Sequence, residues 1–364
     1  MFKIDFDNLI IRQDMEQIDS CLSKEKLCLY NKSIFVSGAS GMIASYLMAY
    51  LIWLNETQGA SIHIYAGIRN KEKAYLRFGN YAEKPYFSII AQDINEPIIA
   101  NQKFDYIIHA ASLASPQYYG CMPVETMLPN IIGTNNLLKK AMIDHSTSFL
   151  FFSSGSVYGS IEGHDVIEEG AIGTFDFQAK GNVYGESKRC GEALCRSYFN
   201  EFGIPIKIAR IHHTYGATAD IEQDTRVFSE FAADIINCRD IVLKSSGEAR
   251  RSFCYITDTI SGLLKILLFG ENGEAYNIGN PNEYISIAEL ANTLVELFPE
   301  KRLHVVSGHR EEKGYNASTE KRIIPVSVEK IENLEWKPVV SIQEGFTRMI
   351  HAIEYSLLSA KGEE

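Results

Sequence analysis

Short apolar runs alternate with longer helical patterns over the first two thirds of the chain. Hydrophobic residues recur at helical spacing most clearly over residues 124–145 and 184–202. The predominantly apolar runs that predict β-strands are residues 34–36, 62–68, 87–90, 106–109, 149–152 and 206–208. Strands that alternate with helices form a parallel sheet covered on both faces. The pattern therefore predicts an α/β fold of the Rossmann type, with a doubly wound parallel sheet.

The alternation becomes less regular after about residue 211, where glycine, asparagine and proline turn signals are denser. Helices are predicted at residues 228–237, 259–269 and 287–298, and a strand at 241–243. This part is expected to be a smaller, mixed α/β domain. The predicted divisions are a polar, helical N-terminal extension at 1–30, the main sheet domain at 31–210, the smaller domain mainly at 211–350 and a C-terminal tail at 351–364. Segments near 250–280 are expected to return to the main domain.

The charge and the cysteine content exclude several classes of protein. The chain of 364 residues has a net charge of -11, whereas nucleic-acid phosphates require clustered Lys and Arg. Its seven cysteines are an odd number without a CxxC pair, so neither a disulfide framework nor a metal site is predicted. The start of the chain is acidic where a signal peptide is basic, and the apolar run at 42–54 is too short to span a bilayer. We expect a cytoplasmic protein that binds neither nucleic acid nor membrane.

A glycine-containing turn directly follows the first predicted strand and opens a helix. In the spacing GxxGxxA, Gly38 makes the sharp turn, Gly41 allows a close backbone approach and Ala44 permits tight packing of helix on strand. The N–H groups at such a helix start bind the pyrophosphate of a dinucleotide. Residues 31–210 are therefore assigned to NAD(P) binding, with contacts from Gly38, Ser40, Gly41, Met42 and Ile43.

The end of the second predicted strand bears on the choice between NAD and NADP. An acidic residue there binds the ribose hydroxyls of NAD, and an Arg binds the 2′-phosphate of NADP. This chain has Arg69 and no acid in the stretch 66–70, which favours NADP, although a solvated loop is the alternative role for Arg69. Asp93 and Ile94 follow the third strand, where they are expected to contact the adenine or to form a surface turn.

Tyr184 and Lys188 form the candidate catalytic pair. Residues at i and i+4 share one face of a helix. A free tyrosine has a pKa near 10, and a neighbouring ammonium lowers it towards the range of a useful base. Ser154, at the end of the strand over 149–152, is placed to donate a hydrogen bond to the same substrate oxygen. The alternative is an ordinary Tyr and Lys one turn apart on a helix, but their position after a dinucleotide-type turn favours the catalytic assignment.

The chain resembles the extended short-chain dehydrogenases/reductases, the family of nucleotide-sugar epimerases and dehydratases. The similarity runs from about residue 33 to about residue 349 and is greatest to the UDP-glucuronate decarboxylase branch. The stretches that carry it are residues 109–116, 123–126, 130–134, 209–216, 251–258, 277–281 and 334–338. Many short matches in one order are specific for the superfamily and less specific for the reaction.

The resemblance implies a role for each matching residue. Tyr184 is the implied base, Lys188 its partner that also contacts the nicotinamide ribose, and Ser154 the hydroxyl donor. Contacts to the cofactor are implied for Ala110, Ala111 and Ser112. The implied substrate is a nucleotide-diphosphate sugar, because Arg251, with help from Arg226, matches the arginine that holds the diphosphate. Ser115 and His213 are the other implied substrate contacts, although His213 replaces the family's Asn and has a packed structural role as its alternative.

Ser156 is the departure that bears most on the reaction. Decarboxylases and 4,6-dehydratases of this group usually have Glu there, and a serine hydroxyl holds its proton too tightly to replace a carboxylate in elimination. We therefore expect an epimerase that removes a hydride from a sugar carbon and returns it. The alternatives are an NADPH-dependent ketoreductase that makes a nucleotide-linked sugar or alditol, a decarboxylase or 4,6-dehydratase, and, from another class, a non-catalytic cofactor-sensing protein.

The resemblance also implies a quaternary structure. Members of this family form homodimers by packing two helices from each subunit into a four-helix bundle. The matching helices are those predicted around residues 124–145 and 184–202. We therefore expect a homodimer in which the helix that carries Tyr184 and Lys188 lies in the interface.

Overall fold

A parallel sheet of seven strands forms the centre of the molecule. The computed structural model describes residues 1–176, 178–308 and 324–362. Within these residues the strands are β1 Ser33–Ser37, β2 His63–Ile68, β3 Phe87–Ala91, β4 Tyr106–His109, β5 Ser148–Ser154, β6 Ile206–Ile211, β7 Thr214–Tyr215, β8 Ile241–Leu243, β9 Arg250–Ser252, β10 Cys254–Tyr255, β11 Ala275–Ile278, β12 Tyr284–Ser286 and β13 Val305–Ser307. The large sheet has the order β11-β6-β5-β4-β1-β2-β3 with every neighbouring pair parallel. The predicted Rossmann-type sheet is confirmed.

Helices cover both faces of this sheet. They are α1 Leu9–Leu22, α2 Met42–Gln58, α3 Lys71–Phe78, α4 Pro116–Cys121, α5 Pro123–Leu128, α6 Thr134–Asp144, α7 Val183–Phe202, α8 Val227–Ile236, α9 Ile256–Phe269, α10 Ile287–Leu297, α11 Glu329–Glu332 and α12 Ile342–Gly362. One apolar core lies under α2 and α9, and a second lies under α6 and α7. Central strands such as β4 are buried at every position, which explains why they read as uninterrupted apolar runs. No helix of the described chain is long and apolar enough to cross a membrane.

The helix predicted over residues 124–145 is interrupted. After α5, residues Pro129–Gly133 form a π-helical turn before α6 begins. Proline has no N–H to donate and its ring clashes with the preceding turn, so an α-helix cannot run through Pro129 unchanged. The wider turn accommodates it.

The N-terminal segment differs from the polar extension that we predicted at residues 1–30. It contains the expected helix, α1, but that helix packs against α9. Its apolar residues recur every three or four positions and are fully buried, as Ile11, Met15, Ile18 and Leu22 show. The segment is therefore part of the main hydrophobic core.

The last third of the chain divides between the two regions of the molecule. Three two-stranded sheets, β10-β7, β12-β9 and β13-β8, lie outside the large sheet together with α8 and α10. By contrast, β11 pairs with β6 in the large sheet and α9 packs on that sheet, whereas β9 and β10 do not belong to it. Helix α12 runs through Gly362 and buries Ala352 and Ile353, so the segment predicted as a tail from residue 351 continues a packed helix.

Candidate active site

The turn between β1 and α2 is closed against the loop that follows β4. Gly38 has a φ of 65°, and a Cβ there would lie 2.7 Å from Cα of Ala111. Gly41 caps α2, and its own Cβ position lies 3.1 Å from the Gly38 carbonyl oxygen. A side chain at residue 38 therefore meets both backbone strain and a steric clash, which is why glycine is needed at this turn.

Ser37 and His109 hold the two sides of this turn together. The Ser37 hydroxyl accepts the N–H groups of Ala110 and Ala111 at 3.1 and 3.2 Å and lies 2.7 Å from Nδ1 of His109. Burial lowers the pKa of His109 to about 3, so the ring is neutral. Since Nε2 lies 3.0 Å from the carbonyl oxygen of Pro129, it carries the proton, and Nδ1 accepts the Ser37 hydroxyl proton. This support was not predicted from the sequence.

Arg77 of α3 is a second support that the sequence analysis missed. It is buried, and its guanidinium donates to the carbonyl oxygens of Ser40 at 3.3 Å, Thr218 at 3.0 Å and Phe2 at 2.8 Å. One side chain thereby connects the glycine turn to the N-terminal segment and to the smaller domain. A lone Arg on a short amphipathic helix carries no sequence signal for such a role.

A cavity of about 550 Å³ opens from the glycine turn along the ends of β2, β3 and β4. Its lining includes these residues predicted for the cofactor: Gly38, Ser40, Gly41, Arg69, Asp93, Ile94, Ala110, Ala111 and Ser112. Met42 and Ile43 do not line it. Instead, Met42 contacts the smaller domain, where its carbonyl oxygen accepts the Thr218 hydroxyl at 2.8 Å.

Two positively charged side chains lie at the β2 end of this cavity. Arg69 and Lys73 both line it and both are exposed, and Asn70 caps α3 between them. The acids that line the cavity are Asp93 and Glu125, neither of which lies in the β2–α3 stretch. Lys73 was missed because a lysine on a surface helix is normally a solvated residue.

The residues around the cavity fit a dinucleotide. The glycine turn leaves no room for a Cβ, the start of the long helix α2 supplies N–H groups, and the hydroxyl of Ser112 is buried without a partner in the described chain. Within residues 1–176, 178–308 and 324–362, no three His, Cys, Asp or Glu side chains are grouped to hold a metal ion.

The four predicted catalytic residues lie together where β5 meets α7. Tyr184 and Lys188 occupy the first two turns of α7, with Nζ of Lys188 5.7 Å from the centre of the Tyr184 ring. The Ser154 hydroxyl is near enough to the Tyr184 phenol to lower its pKa, and it lies 3.2 Å from the Ser156 hydroxyl. The Ser156 N–H also donates to Ser154 at 3.2 Å. These contacts place two hydroxyls and a phenol around one point.

The protonation of this pair differs from the prediction. Burial raises the pKa of Tyr184, and the groups that oppose the rise are the Ser154 hydroxyl and the charge of Arg226. Burial also lowers the pKa of Lys188 to about 7, which Glu192 opposes. We expected Lys188 to lower the pKa of Tyr184, but in the free site Lys188 loses its proton before the phenol ionises. Its ammonium must therefore be kept charged if it is to stabilise a phenolate.

Arg226 connects the predicted substrate residues with Tyr184, because its charge acts on both Tyr184 and His213. His213 has a φ of 26°, a conformation that costs energy and often marks a functional site. Desolvation of its ring holds the pKa of His213 well below the ordinary value, and Arg251, His212 and Arg226 act in the same direction. Part of the side chain is nevertheless exposed to solvent. Arg226 is itself paired with Asp224 at 2.6 Å. The charges of Arg226 and Arg251 both act on His213.

Ser115 and Tyr119 border the site from α4. Ser115 caps α4, and its hydroxyl is buried without a partner in the described residues. The ring of Tyr119, which was not predicted, stacks on the Tyr184 ring with centroids 4.9 Å apart. A buried hydroxyl without a partner has hydrogen-bonding capacity left for a ligand.

The model of the NAD dependent epimerase/dehydratase family matches residues 34–279, well over half of the chain. The chain belongs to this family. The resemblance seen in the sequence is thereby confirmed, and the protein is an NAD-dependent epimerase/dehydratase-family enzyme. Among curated relatives, UDP-glucuronic acid decarboxylase 3 of Arabidopsis thaliana is 33% identical over 333 residues, covering 91% of this chain and 91% of the relative. UDP-glucuronic acid decarboxylase 1 of Xenopus tropicalis is 29% identical, covering 88% of this chain and 72% of the relative.

Solved structures of the family share the fold. An epimerase of Methanothermobacter thermautotrophicus superposes with a TM-score of 0.79 at 21% identity, covering 94% of this chain and 98% of that one. A UDP-glucuronic acid 4-epimerase of Bacillus cereus in complex with NAD superposes with a TM-score of 0.72 at 23% identity, covering 89% and 99%. At these identities the similarity shows that this family member shares the fold of the solved structures. The reaction has to be inferred from the residues of the site.

Proposed function

We propose that this enzyme is a nucleotide-sugar epimerase that removes a hydride from a sugar carbinol carbon and returns it to the opposite face. The observation that carries the proposal is the constellation of Tyr184, Lys188 and Ser154, with the Ser156 hydroxyl where elimination would need a carboxylate. In the described chain, no carboxylate is hydrogen-bonded to Ser154 or Ser156. Proton and hydride transfer are therefore supported, and loss of a leaving group is not.

The residues of the chain divide the work of this reaction. The substrate hydroxyl meets the phenol of Tyr184 and the hydroxyl of Ser154, and Tyr184 takes its proton while the carbon is oxidised. The Lys188 ammonium stabilises the resulting phenolate. After the keto sugar has rotated to present its opposite face, Tyr184 returns the proton to the oxygen. NAD(P), when bound, accepts and returns the hydride at its nicotinamide ring.

The cofactor is proposed to lie in the cavity along β2, β3 and β4. The glycine turn and the start of α2 would hold its pyrophosphate, and Asp93 with Ile94 would contact the adenine. Arg69 and Lys73 at the far end suit the 2′-phosphate of NADP, because guanidinium and ammonium groups pair with phosphate oxygens. We therefore propose that the enzyme accepts NADP as well as NAD.

The substrate is proposed to be a nucleotide-diphosphate sugar. Arg251 and Arg226 act on the same part of the cleft as His213, and two guanidinium groups suit a diphosphate. Ser115 and His213 would contact the sugar or its phosphates. We also propose a homodimer formed through α5, α6 and α7, where large apolar side chains such as Val124, Ile132 and Phe202 are exposed.

Two other reactions have specific support. The names of the relatives favour decarboxylation of a nucleotide-linked uronic acid, which starts with the same oxidation and then releases carbon dioxide from a β-keto acid. The two cations Arg69 and Lys73 favour an NADPH-dependent ketoreductase. Both reactions share the Tyr184 proton transfer with the epimerase and differ from it in the later fate of the ketone or the hydride.

Cofactor stoichiometry tests the proposal. The purified enzyme is incubated with UDP-glucose and with UDP-glucuronic acid in the presence of NAD or NADP, and products are separated by chromatography. The epimerase predicts a stereoisomer of the substrate without net change in nicotinamide absorbance. Steady consumption of NADPH with a nucleotide-linked ketose would indicate the reductase instead. Unchanged activity in Tyr184→Phe would refute the role of Tyr184 in both reactions, whereas cofactor binding without any turnover would favour a cofactor-sensing protein.

A further inference from the structure

The end of β5 holds two successive turns of α7 by separate contacts. The carbonyl oxygen of Phe152 accepts a hydrogen bond from Nζ of Lys188 at 2.6 Å. The hydroxyl of the next residue, Ser153, donates to Oε1 of Glu192 at 2.6 Å. Lys188 and Glu192 are four residues apart on α7, so they lie on one face of the helix. The strand therefore fixes Glu192 next to Lys188.

Glu192 is held from its other side by Arg210 of β6. Nε and Nη2 of Arg210 donate to the two carboxylate oxygens at 2.9 and 2.7 Å, which is a bidentate pair. Nη1 of the same guanidinium donates to the Tyr158 hydroxyl at 2.9 Å. The side chains of Arg210 and Glu192 are only 10% and 8% exposed. A carboxylate bound in this way is fixed in position.

Lys188 needs such a neighbour because its own surroundings oppose its charge. Burial favours the neutral amine, and Glu192 is the largest influence in the opposite direction. The other titratable groups that interact with Lys188 are Cys195 on α7 and the neutral ring of His109 on β4, while Tyr184 lies under its Nζ. Glu192 is therefore the group able to keep an ammonium at this position.

We propose that Glu192 is a positioning residue: fixed by Ser153 and Arg210, it favours the charged form of Lys188, which acts beside Tyr184. The inference rests on the proposed roles of Tyr184 and Lys188, and it adds a buried ion pair behind them to the site. Glu192 touches no reacting atom in this account. It acts through Lys188 alone.

The protonation of Lys188 is measured directly by NMR of the full-length protein labelled with ¹³Cε-lysine. Most lysines titrate near pH 10, so a resonance that titrates near neutrality stands apart, and a Lys188→Met variant assigns it. In Glu192→Gln, we expect its midpoint to fall by about one pH unit, the size of shift that one neighbouring charge produces. An unchanged or raised midpoint would overturn the proposal.

Companion variants distinguish an effect of the Glu192 charge from an effect of the substitution on folding. Glu192→Gln leaves Arg210 buried and unpaired, whereas the double variant Glu192→Gln with Arg210→Gln removes both charges. The double variant should titrate between the wild type and the single variant, and Glu192→Asp, which keeps the charge, should remain near the wild type. If the single variant does not fold, a midpoint in the double variant equal to that of the wild type overturns the proposal.

Activity provides the second readout. If Lys188 must be charged, kcat falls as the pH rises through its midpoint, so this alkaline limb should move to lower pH in Glu192→Gln by the same amount as the NMR midpoint. A purely structural role would lower kcat at every pH without moving the limb. The NMR titration requires no substrate, so a failure of the proposed reaction is distinguishable from a failure of this inference.

Discussion

The rings of Tyr119 and Tyr184 are stacked, with centroids 4.9 Å apart and planes inclined by 7°. Tyr119 is held in turn, because its hydroxyl donates to the carbonyl oxygen of Ala114 at 2.9 Å. The stack closes one face of the Tyr184 ring. Helix α4 therefore helps to fix the orientation of that ring.

Removal of the stacked ring should slow the reaction without abolishing it. We predict that Tyr119→Ala lowers kcat roughly fivefold, because an aromatic pair contributes about 1 kcal/mol beyond its buried area. Tyr119→Phe keeps the ring and should retain nearly full kcat. Steady-state kinetics on the three proteins tests this, and equal losses in the two variants would show that the hydroxyl rather than the stack is important.

The glycine turn provides a prediction with a matched control. Gly38→Ala should abolish cofactor binding or unfold the turn, because its Cβ would lie 2.7 Å from Cα of Ala111 at a φ of 65°. Gly59 has a similar φ of 61° but nothing within 4 Å of its Cβ position, so Gly59→Ala should cost only about 1 kcal/mol of backbone strain. Cofactor titration and thermal unfolding compare the two. Equal effects would contradict the steric account.

Lys73 is predicted to discriminate between the cofactors. Lys73→Ala should weaken NADP binding about tenfold and leave NAD binding nearly unchanged, because a hydrogen bond to a charged group contributes about 1.5 kcal/mol or more. Lys71→Ala is the control, since Lys71 is exposed on the same helix but does not line the cavity. Calorimetric titration with both cofactors measures the effect. A loss of NAD affinity of the same size would refute the assignment.

Asp258 should make stability depend on pH. Burial raises its pKa from 3.8 to about 7, while the N–H groups of Val339 and Val340, each at 3.0 Å, oppose the rise. A raised pKa means that the fold favours the protonated carboxyl, so this stabilisation is complete below pH 3.8 and is lost as the pH rises through 7.

The prediction is that Asp258→Asn has a flatter dependence of unfolding free energy on pH between 4 and 7 than the wild type. Urea unfolding at a series of pH values measures it. Because other buried acids such as Asp14 also contribute, the test is the difference between the two proteins. The same slope in both would contradict the prediction.

The proposed dimer interface is tested at Ile132, which is 40% exposed in the turn between α5 and α6. Ile132→Glu should convert the dimer to a monomer, because a charge would be buried between the subunits without a partner. Ile99, which is 84% exposed in a loop, is the control site for the same substitution. Sedimentation velocity distinguishes the species. A wild-type monomer with full activity would refute the dimer.

The sheet and the order of the catalytic residues were predictable from the sequence. Strand β4 is buried throughout and β5 is buried up to Ser153, so they appear as short apolar runs. The glycine turn and the pair Tyr184–Lys188 depend on local spacing, which the sequence displays directly. The π-helical turn at Pro129 was not predicted, because proline marks an interruption without specifying its form.

Contacts between distant parts of the chain account for the rest. Glu192 and Arg210 are ordinary polar residues in the sequence, and only the packing of α7 on β5 and β6 buries them as a pair. Asp14 lies on a helix whose sequence is largely polar. It is nevertheless fully buried and accepts a hydrogen bond from the Tyr255 hydroxyl at 2.7 Å. The ionisation of Lys188 likewise depends on burial, which a motif does not reveal.

The most direct test of the central claim is the mass of the product formed from UDP-glucuronic acid, the compound in the names of the relatives. The enzyme is incubated with this nucleotide sugar and NAD, with Tyr184→Phe as the control, and the nucleotide sugars are analysed by mass spectrometry. Our account predicts a product of unchanged mass and altered stereochemistry, which the Tyr184→Phe variant does not form. A nucleotide sugar lighter by one carbon dioxide, or by one water, would contradict it.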